Sequence, residues 1–315
     1  MIAHVFDIAL TVPFRGIARR SGVLFEGPAG WAEWSPFPEY DDEEAAAWLR
    51  AAHEAAEVGL PAPVRDAVEV NGIVPALAPA EAAARAVASG CATVKIKVAA
   101  VGQSLDDDVA RVAAVREALP SARIRVDANG GWSLAGAVDA LHELGAFGLE
   151  YAEQPCATVE DLAALRARDL GVLIAADESI RRAADPLRVK AAGAADIAVL
   201  KVQPLGGPRA CLRLAEELGL PVVVSSAVET SVGLRAGVAL AAALPELPFA
   251  CGLETARLLA ADVVRDPLAP RAGIVEARSV EVDPDLLLAQ AAGPELTGFW
   301  LDRWERVRRI LEGER

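Results

Sequence analysis

From about residue 70 the chain alternates short apolar runs with longer amphipathic stretches. RIRVD (123–127), LEYAE (149–153), VLIAAD (172–177) and IAVLK (197–201) each read as a strand, and each ends on a charged residue. The closing residues Asp127, Glu153, Asp177 and Lys201 follow one another at intervals of 26, 24 and 24 positions. Strand, turn and helix repeated at that interval predict parallel βαβ units. IVPAL (73–77) and VKIKV (94–98) precede them as strands, PVVVSS (221–226) comes after, and FACGLE (249–254) is placed as the eighth. Helices are expected from Pro79 to a stop at Gly90, after a Ser104/Asp107 cap, from Ser133 to Gly145, after Thr158, from Asp185-Pro186, and from Pro208 to Gly219. The expected fold is therefore an α/β, TIM-type (β/α) barrel.

Residues 1–66 have another pattern. IALTVPF and GVLFEG read as strands, WAEWSPFPEY as a Pro-rich loop and DDEEAAAWLRAAHEAAE as a helix, which together make an α+β module. The barrel is assigned to 67–275. In 276–315, PELTGFWLDRWERVRRILEG reads as a helix that packs back on the first module.

A closed barrel gathers the C-terminal strand ends around one mouth, so three carboxylates and an ammonium are expected in one pocket. Carboxylates brought together need a cation, and hard oxygen donors select Mg²⁺ or Mn²⁺ over zinc. In VKIKV, strand alternation sends Lys95 and Lys97 to one face. Two buried lysines beside a dication are driven toward neutrality, which suits a base. Taken singly, each group has a plainer role: Asp127 and Asn129 in a turn, Glu153 before a proline, Asp177 at a helix cap, Lys201 at the surface, the lysine pair on an edge strand. The shared period and shared strand end of Asp127, Glu153, Asp177 and Lys201 argue against four separate plain roles.

The composition removes other classes. With 31 basic and 45 acidic side chains the net charge is −14, which repels nucleic acid. Pro245 and Pro248 interrupt the most apolar tract, 236–250, so no membrane span is expected, and the N-terminus lacks the pattern of a signal peptide. The four cysteines are isolated, which suits reduced, buried thiols and a cytoplasmic location. None of the three histidines falls at a strand's C-terminal end, leaving lysines as the acid–base groups. PLGG (204–207) reads as a turn in preference to a phosphate loop, and no GxSxG or GxGxxG succeeds a strand.

KIK (95–97), DAN (127–129), EQP (153–155), DES (177–179) and KVQPLGG (201–207), in this order, resemble the muconate-lactonizing subgroup of the enolase superfamily. The resemblance spans the chain. It implies that Asp127, Glu153 and Asp177 bind Mg²⁺ and that Lys97 and Lys201 face a small carboxylate substrate from opposite sides, with Lys95 beside Lys97. It also implies a capping domain built from the N-terminal segment and the chain's end.

The short capping region GWAEWSPFPEYDDEE (30–44), SSAVETSVG (225–233) and CGLET (251–255) look most like the subgroup's compact dehydratases. Lys97 is then the expected base. The same similarity makes Ser225, Ser226 and Gly252 expected substrate contacts, with Asn129 beside them. Arg15, Arg19 and Arg20 are read either as a loop that closes over the mouth, with Arg19 among the substrate contacts, or as a solvated basic turn. A racemase or epimerase on the same scaffold, and a metal-free Schiff-base aldolase using Lys201, are the competing activities. Monomer and homo-oligomer are both compatible with the sequence.

Overall fold

The computed structural model describes residues 2–14 and 16–313. An antiparallel sheet opens the chain: β1 (Ala3–Phe14), β2 (Ile17–Gly27) and β3 (Gly30–Trp34), in that order. Helix α1 (Asp42–His53) begins at a capping box between Asp41 and Glu44 and continues as a π-helical turn over Glu54–Val58. A second short sheet pairs β4 (Ala67–Glu69) with β12 (Ile274–Glu276).

The barrel strands are β5 (Gly72–Val74), β6 (Thr93–Lys97), β7 (Arg123–Asp127), β8 (Leu149–Glu153), β9 (Leu173–Ala176), β10 (Ile197–Leu200) and β11 (Val222–Val224), all parallel and in sequential order. Parallel bridges Ser225–Gly252 and Val70–Cys251 close the ring between β11 and β5. The expected eighth strand is thus reduced to this seam. Gly252 lies close against Ser225, and a Cβ there would stand 2.7 Å from the Ser225 hydroxyl.

Around the sheet run α2 (Pro79–Ser89), α3 (Leu105–Ala118), α4 (Leu134–Gly145), α5 (Val159–Arg166), α6 (Glu178–Arg181), α7 (Arg188–Ala191), α8 (Pro208–Leu218) and α9 (Ser231–Ala243). Their starts match the sequence signals: Pro79 and Pro208 in the first turn, a Ser104/Asp107 capping box, and Ser133 and Thr158 as N-caps. The helix expected to open at Asp185-Pro186 is present as α7, where Asp185 accepts the Leu187 N–H at 3.0 Å, but it is short. The connection after β9 thus holds two four-residue helices, α6 and α7, and the Asp177–Arg181 pair spans the turn of the first.

After α10 (Pro284–Ala289), α11 (Pro294–Gly313) returns to the N-terminal sheet. Trp300 and Trp304 both meet Trp34 edge-on at 5.4 Å, and Arg303 donates to the Tyr40 carbonyl at 2.6 Å. Among the described residues no helix is long and apolar enough to cross a membrane.

Side chains of the N-terminal module dock onto the starts of barrel helices. Glu54 accepts from the Arg209 N–H at 3.2 Å at the start of α8, which has no side-chain cap of its own. Gly207 (φ +121°) leaves room for that carboxylate, which a Cβ would strike. The PLGG segment is therefore a turn whose helix N-terminus is already occupied by an internal anion. Glu33 takes the N–H groups of Thr230 and Gly233 at the start of α9, and Tyr40 and Glu44 bond to Arg181 and Arg182 beside α6.

Candidate active site

Parallel register sets the upper layer of the barrel. Lys97 is level with Asp127, and Asp127 with Glu153, while Asp177 and Lys201 directly succeed β9 and β10. Lys97, Asp127 and Lys201 line one mouth, and Glu153 and Asp177 are bonded to its Lys95 and Lys201. β6 and β10 are four positions apart in a ring of eight, so Lys97 and Lys201 stand on opposite sides of it.

The charges interlock. Lys95 Nζ bonds both Glu153 oxygens (2.9 and 2.7 Å) and lies 3.5 Å from Asp127. Lys97 Nζ donates to Asp127 and to the Asn129 side-chain oxygen, both at 2.5 Å. Lys201 donates to Asp177 Oδ2 at 2.5 Å, and Arg181 Nε donates to Oδ1 of the same carboxylate at 2.9 Å. Asn129 (φ +47°) and Gly130 turn the chain back after β7, and the Asn129 N–H caps Asp127 at 3.0 Å.

Burial sets the titration. It would raise Asp127, but Lys97 and Lys95 outweigh it and hold the carboxyl far below the usual range; Arg181 and Lys201 do the same for Asp177. Glu153 goes the other way, raised first by burial and then by repulsion from Asp127 and Asp177. Burial alone would push Lys95 toward neutrality, but the neighbouring Glu153 and Asp127 carboxylates raise it.

The mouth is lined by Phe14, Ile73, Lys95, Lys97, Asp127, Asn129 and Lys201, and on its far wall by Ser225–Val228, Gly252 and Thr255. Its free volume is about 30 Å³. Asn129, Ser225, Ser226 and Gly252 are thus brought together with the lysines. Ser226 Oγ donates to the Gly252 carbonyl at 3.0 Å and lies 2.7 Å from Thr255 Oγ1.

Arg19 is not brought there. It sits in β2, exposed and paired with Asp7 at 2.8 Å, and not in a loop. Strand alternation sends its neighbour Arg20 to the opposite, buried face, where it reaches the carbonyl of Val228. Arg15 lies outside the described residues. Phe14, whose ring centre is 5.5 Å from Lys97 Nζ, escaped sequence reasoning because only docking of the N-terminal sheet carries it to the mouth.

Glu254 lies next to this wall and accepts the Ile73 N–H at 2.6 Å. Burial pushes its pKa up from 4.5 to about 7, only partly offset by that bond and by Arg257. The folded state then binds the proton more tightly than the unfolded chain, so stability falls as pH rises from about 4.5 to about 7. Glu254→Gln is expected to leave the melting temperature unchanged at pH 4.5 and to raise stability above pH 7, by on the order of 1–3 kcal/mol. Melting curves across that range check it; a variant with an unaltered pH slope would contradict the assignment.

A ring of parallel strands with acids and lysines at its C-terminal ends, covered by an α+β module, is the architecture of one large enzyme class. The pattern "Enolase C-terminal domain-like" matches residues 78–285, and "Enolase N-terminal domain-like" matches 5–56. The chain belongs to the enolase superfamily.

Among curated relatives, the o-succinylbenzoate synthase of Thermobifida fusca is 58% identical, covering 98% of this chain and 99% of its own. That of Mycolicibacterium smegmatis is 54% identical over 95% and 93%. Solved structures share the fold at lower identity. N-succinyl Arg/Lys racemase from Bacillus cereus has a TM-score of 0.80 at 19% identity (92% of this chain, 97% of that one). Muconate lactonizing enzyme from Pseudomonas fluorescens, complexed with muconolactone, has 0.79 at 22% (92% and 98%). An enolase from Pseudomonas fluorescens with bound magnesium, potassium and tartrate has 0.74 at 19% (92% and 90%).

Proposed function

We propose that this protein is a hydro-lyase of menaquinone biosynthesis, converting 2-succinyl-6-hydroxy-2,4-cyclohexadiene-1-carboxylate to o-succinylbenzoate and water. The observation that carries the substrate is the identity of more than half, over nearly the full length, with proteins bearing the synthase name. The lysine geometry supports the chemistry, removal of a proton α to a carboxylate.

Asp127, Glu153 and Asp177 are the residues that would hold a divalent cation. Among the described residues no three acidic, histidine or cysteine groups are gathered tightly enough to hold an ion as they stand, because lysine ammoniums lie between the carboxylates. The donor set nevertheless fits. It consists of hard oxygens that raise one another's charge cost, and the buried Glu178 Oε2, next to Asp177, has no hydrogen-bond partner. Mg²⁺ is the ion of choice, with Mn²⁺ compatible. When bound, the cation lowers the cost of the second negative charge that the substrate carboxylate acquires as its α-proton leaves.

The chain's own groups do the rest. Lys97, held by Asn129, takes the α-proton from the ring face that also carries the hydroxyl. It then returns a proton to that hydroxyl, the C–O bond breaks, water departs and the ring becomes aromatic. The net change is the loss of one water on one face. Lys201, on the other side, stays an ammonium and stabilises the anionic ring through space. Lys95 stays charged and offsets Glu153 and Asp127. Ser225, Ser226 and Gly252 receive the succinyl arm. The substrate is a small soluble carboxylate, in keeping with a cytoplasmic enzyme.

Incubation in D₂O tests the reading. The cyclohexadiene carboxylate is expected to be converted to the aromatic product. Turnover only as α-deuterium exchange into N-acylamino acids would assign racemization instead.

A further inference from the structure

Val228, in the wall of the mouth, is held at φ +63°. A β-branched residue keeps that left-handed conformation only where its surroundings over-determine it. Here they do. Arg20 Nε donates to the Val228 carbonyl at 3.1 Å, the Ala227 N–H donates to Glu229 Oε2 at 2.6 Å, and Thr230 gives both its N–H (3.0 Å) and its hydroxyl (2.6 Å) to Glu33.

Two of these holds, Arg20 on β2 and Glu33 on β3, come from the N-terminal sheet, far away in sequence. Arg20 is itself fixed. Its guanidinium lies 4.4 Å over the Phe37 ring, donates to the Ser35 hydroxyl at 2.9 Å and to the Ser35 carbonyl, and is 1% exposed. Its charge is felt by the buried carboxylates of Glu33 and Glu229, both raised chiefly by burial.

We propose that Arg20 is a positioning residue: through the Val228 carbonyl it fixes the backbone of the Ser225–Val228 wall and thereby sets substrate affinity, not the rate of the chemical steps. The proposal rests on the reading that substrate binds at this mouth. Arg20 touches no reacting atom. It carries the shape of the N-terminal module into the half of the mouth opposite Lys97.

The test compares kcat and KM for the wild type, Arg20→Lys, Val228→Gly and the double variant, with the cyclohexadiene carboxylate as substrate. Lysine keeps a positive charge near Glu33 and Glu229, but a single ammonium cannot span Ser35 and the Val228 carbonyl together. Arg20→Lys is expected to raise KM about tenfold and to change kcat by less than about threefold. In the Val228→Gly background the same replacement is expected to raise KM by no more than about twofold, since glycine holds a positive φ without an anchor. An unchanged KM, or an equal rise in both backgrounds, overturns the proposal, because a purely structural arginine would lower the melting temperature without that dependence on residue 228.

Should Arg20→Lys not fold, Phe37→Leu takes its place. It removes the ring beneath the guanidinium and leaves every hydrogen-bonding group present. It is expected to raise KM about threefold with Val228 and not with glycine there, and an unchanged KM again overturns the proposal. Wild-type turnover is the control. Its absence would fail the proposed function and not the positioning role.

Discussion

Lys97→Ala is expected to lower kcat by about 10³-fold or more while the protein remains folded and binds Mg²⁺ almost as before. One lysine is asked both to remove the α-proton, as the neutral amine, and to deliver a proton to the leaving hydroxyl, as the ammonium so formed, so both steps fail together. The fold should tolerate the change because the mouth retains other cations. Asp127 keeps Lys95 at 3.5 Å and the Asn129 N–H at 3.0 Å. Lys95 is not expected to substitute as the base, since its ammonium is bonded to both Glu153 oxygens at 2.9 and 2.7 Å. Steady-state kinetics with circular dichroism checks this, and a folded variant with near-normal kcat would remove Lys97 from the base role.

Much of this site was legible because charge at the C-terminal end of an apolar run is a strong signal. Asp127, Glu153, Asp177 and Lys201 announce themselves by period, and the i, i+2 spacing of Lys95 and Lys97 gives their common face. Helix starts at Pro79, Ser104, Ser133, Thr158 and Pro208 were legible for the same local reason, since caps and prolines act within one turn. The features that escaped depend on contacts between distant segments. FACGLE carries the apolar content of a strand, yet its pairing is confined to the Cys251–Gly252 seam. The segment after Asp177 has helical composition, but it forms two helices of four residues each. Arg19 and Arg20 look alike in sequence, and one step of strand alternation sends them to opposite faces. The direction of the Lys95 shift also required geometry, because it turns on how closely Glu153 approaches.

Asp177→Asn should raise the Mg²⁺ concentration needed for half-maximal activity by roughly 10–100-fold or more, with a parallel loss of affinity in calorimetric titration. The residue is fully buried and is bonded by both Arg181 and Lys201, so the amide removes a negative charge that two cations currently share. The loss should therefore exceed that from an exposed acid. An important control is the fold: Arg181 retains Glu178 and Tyr40 as partners, so the variant is expected to melt within a few degrees of wild type. Unchanged metal affinity in a folded variant would assign the ion to other ligands.

At the centre of the proposed function is a cluster of buried acids that we propose serves chemistry only with a divalent cation among them. The direct measurement is turnover of enzyme stripped of metal by a chelator, verified metal-free by elemental analysis, before and after Mg²⁺ is added. The expected result is turnover at background that recovers with added Mg²⁺; full-rate turnover by the verified metal-free enzyme would contradict the account.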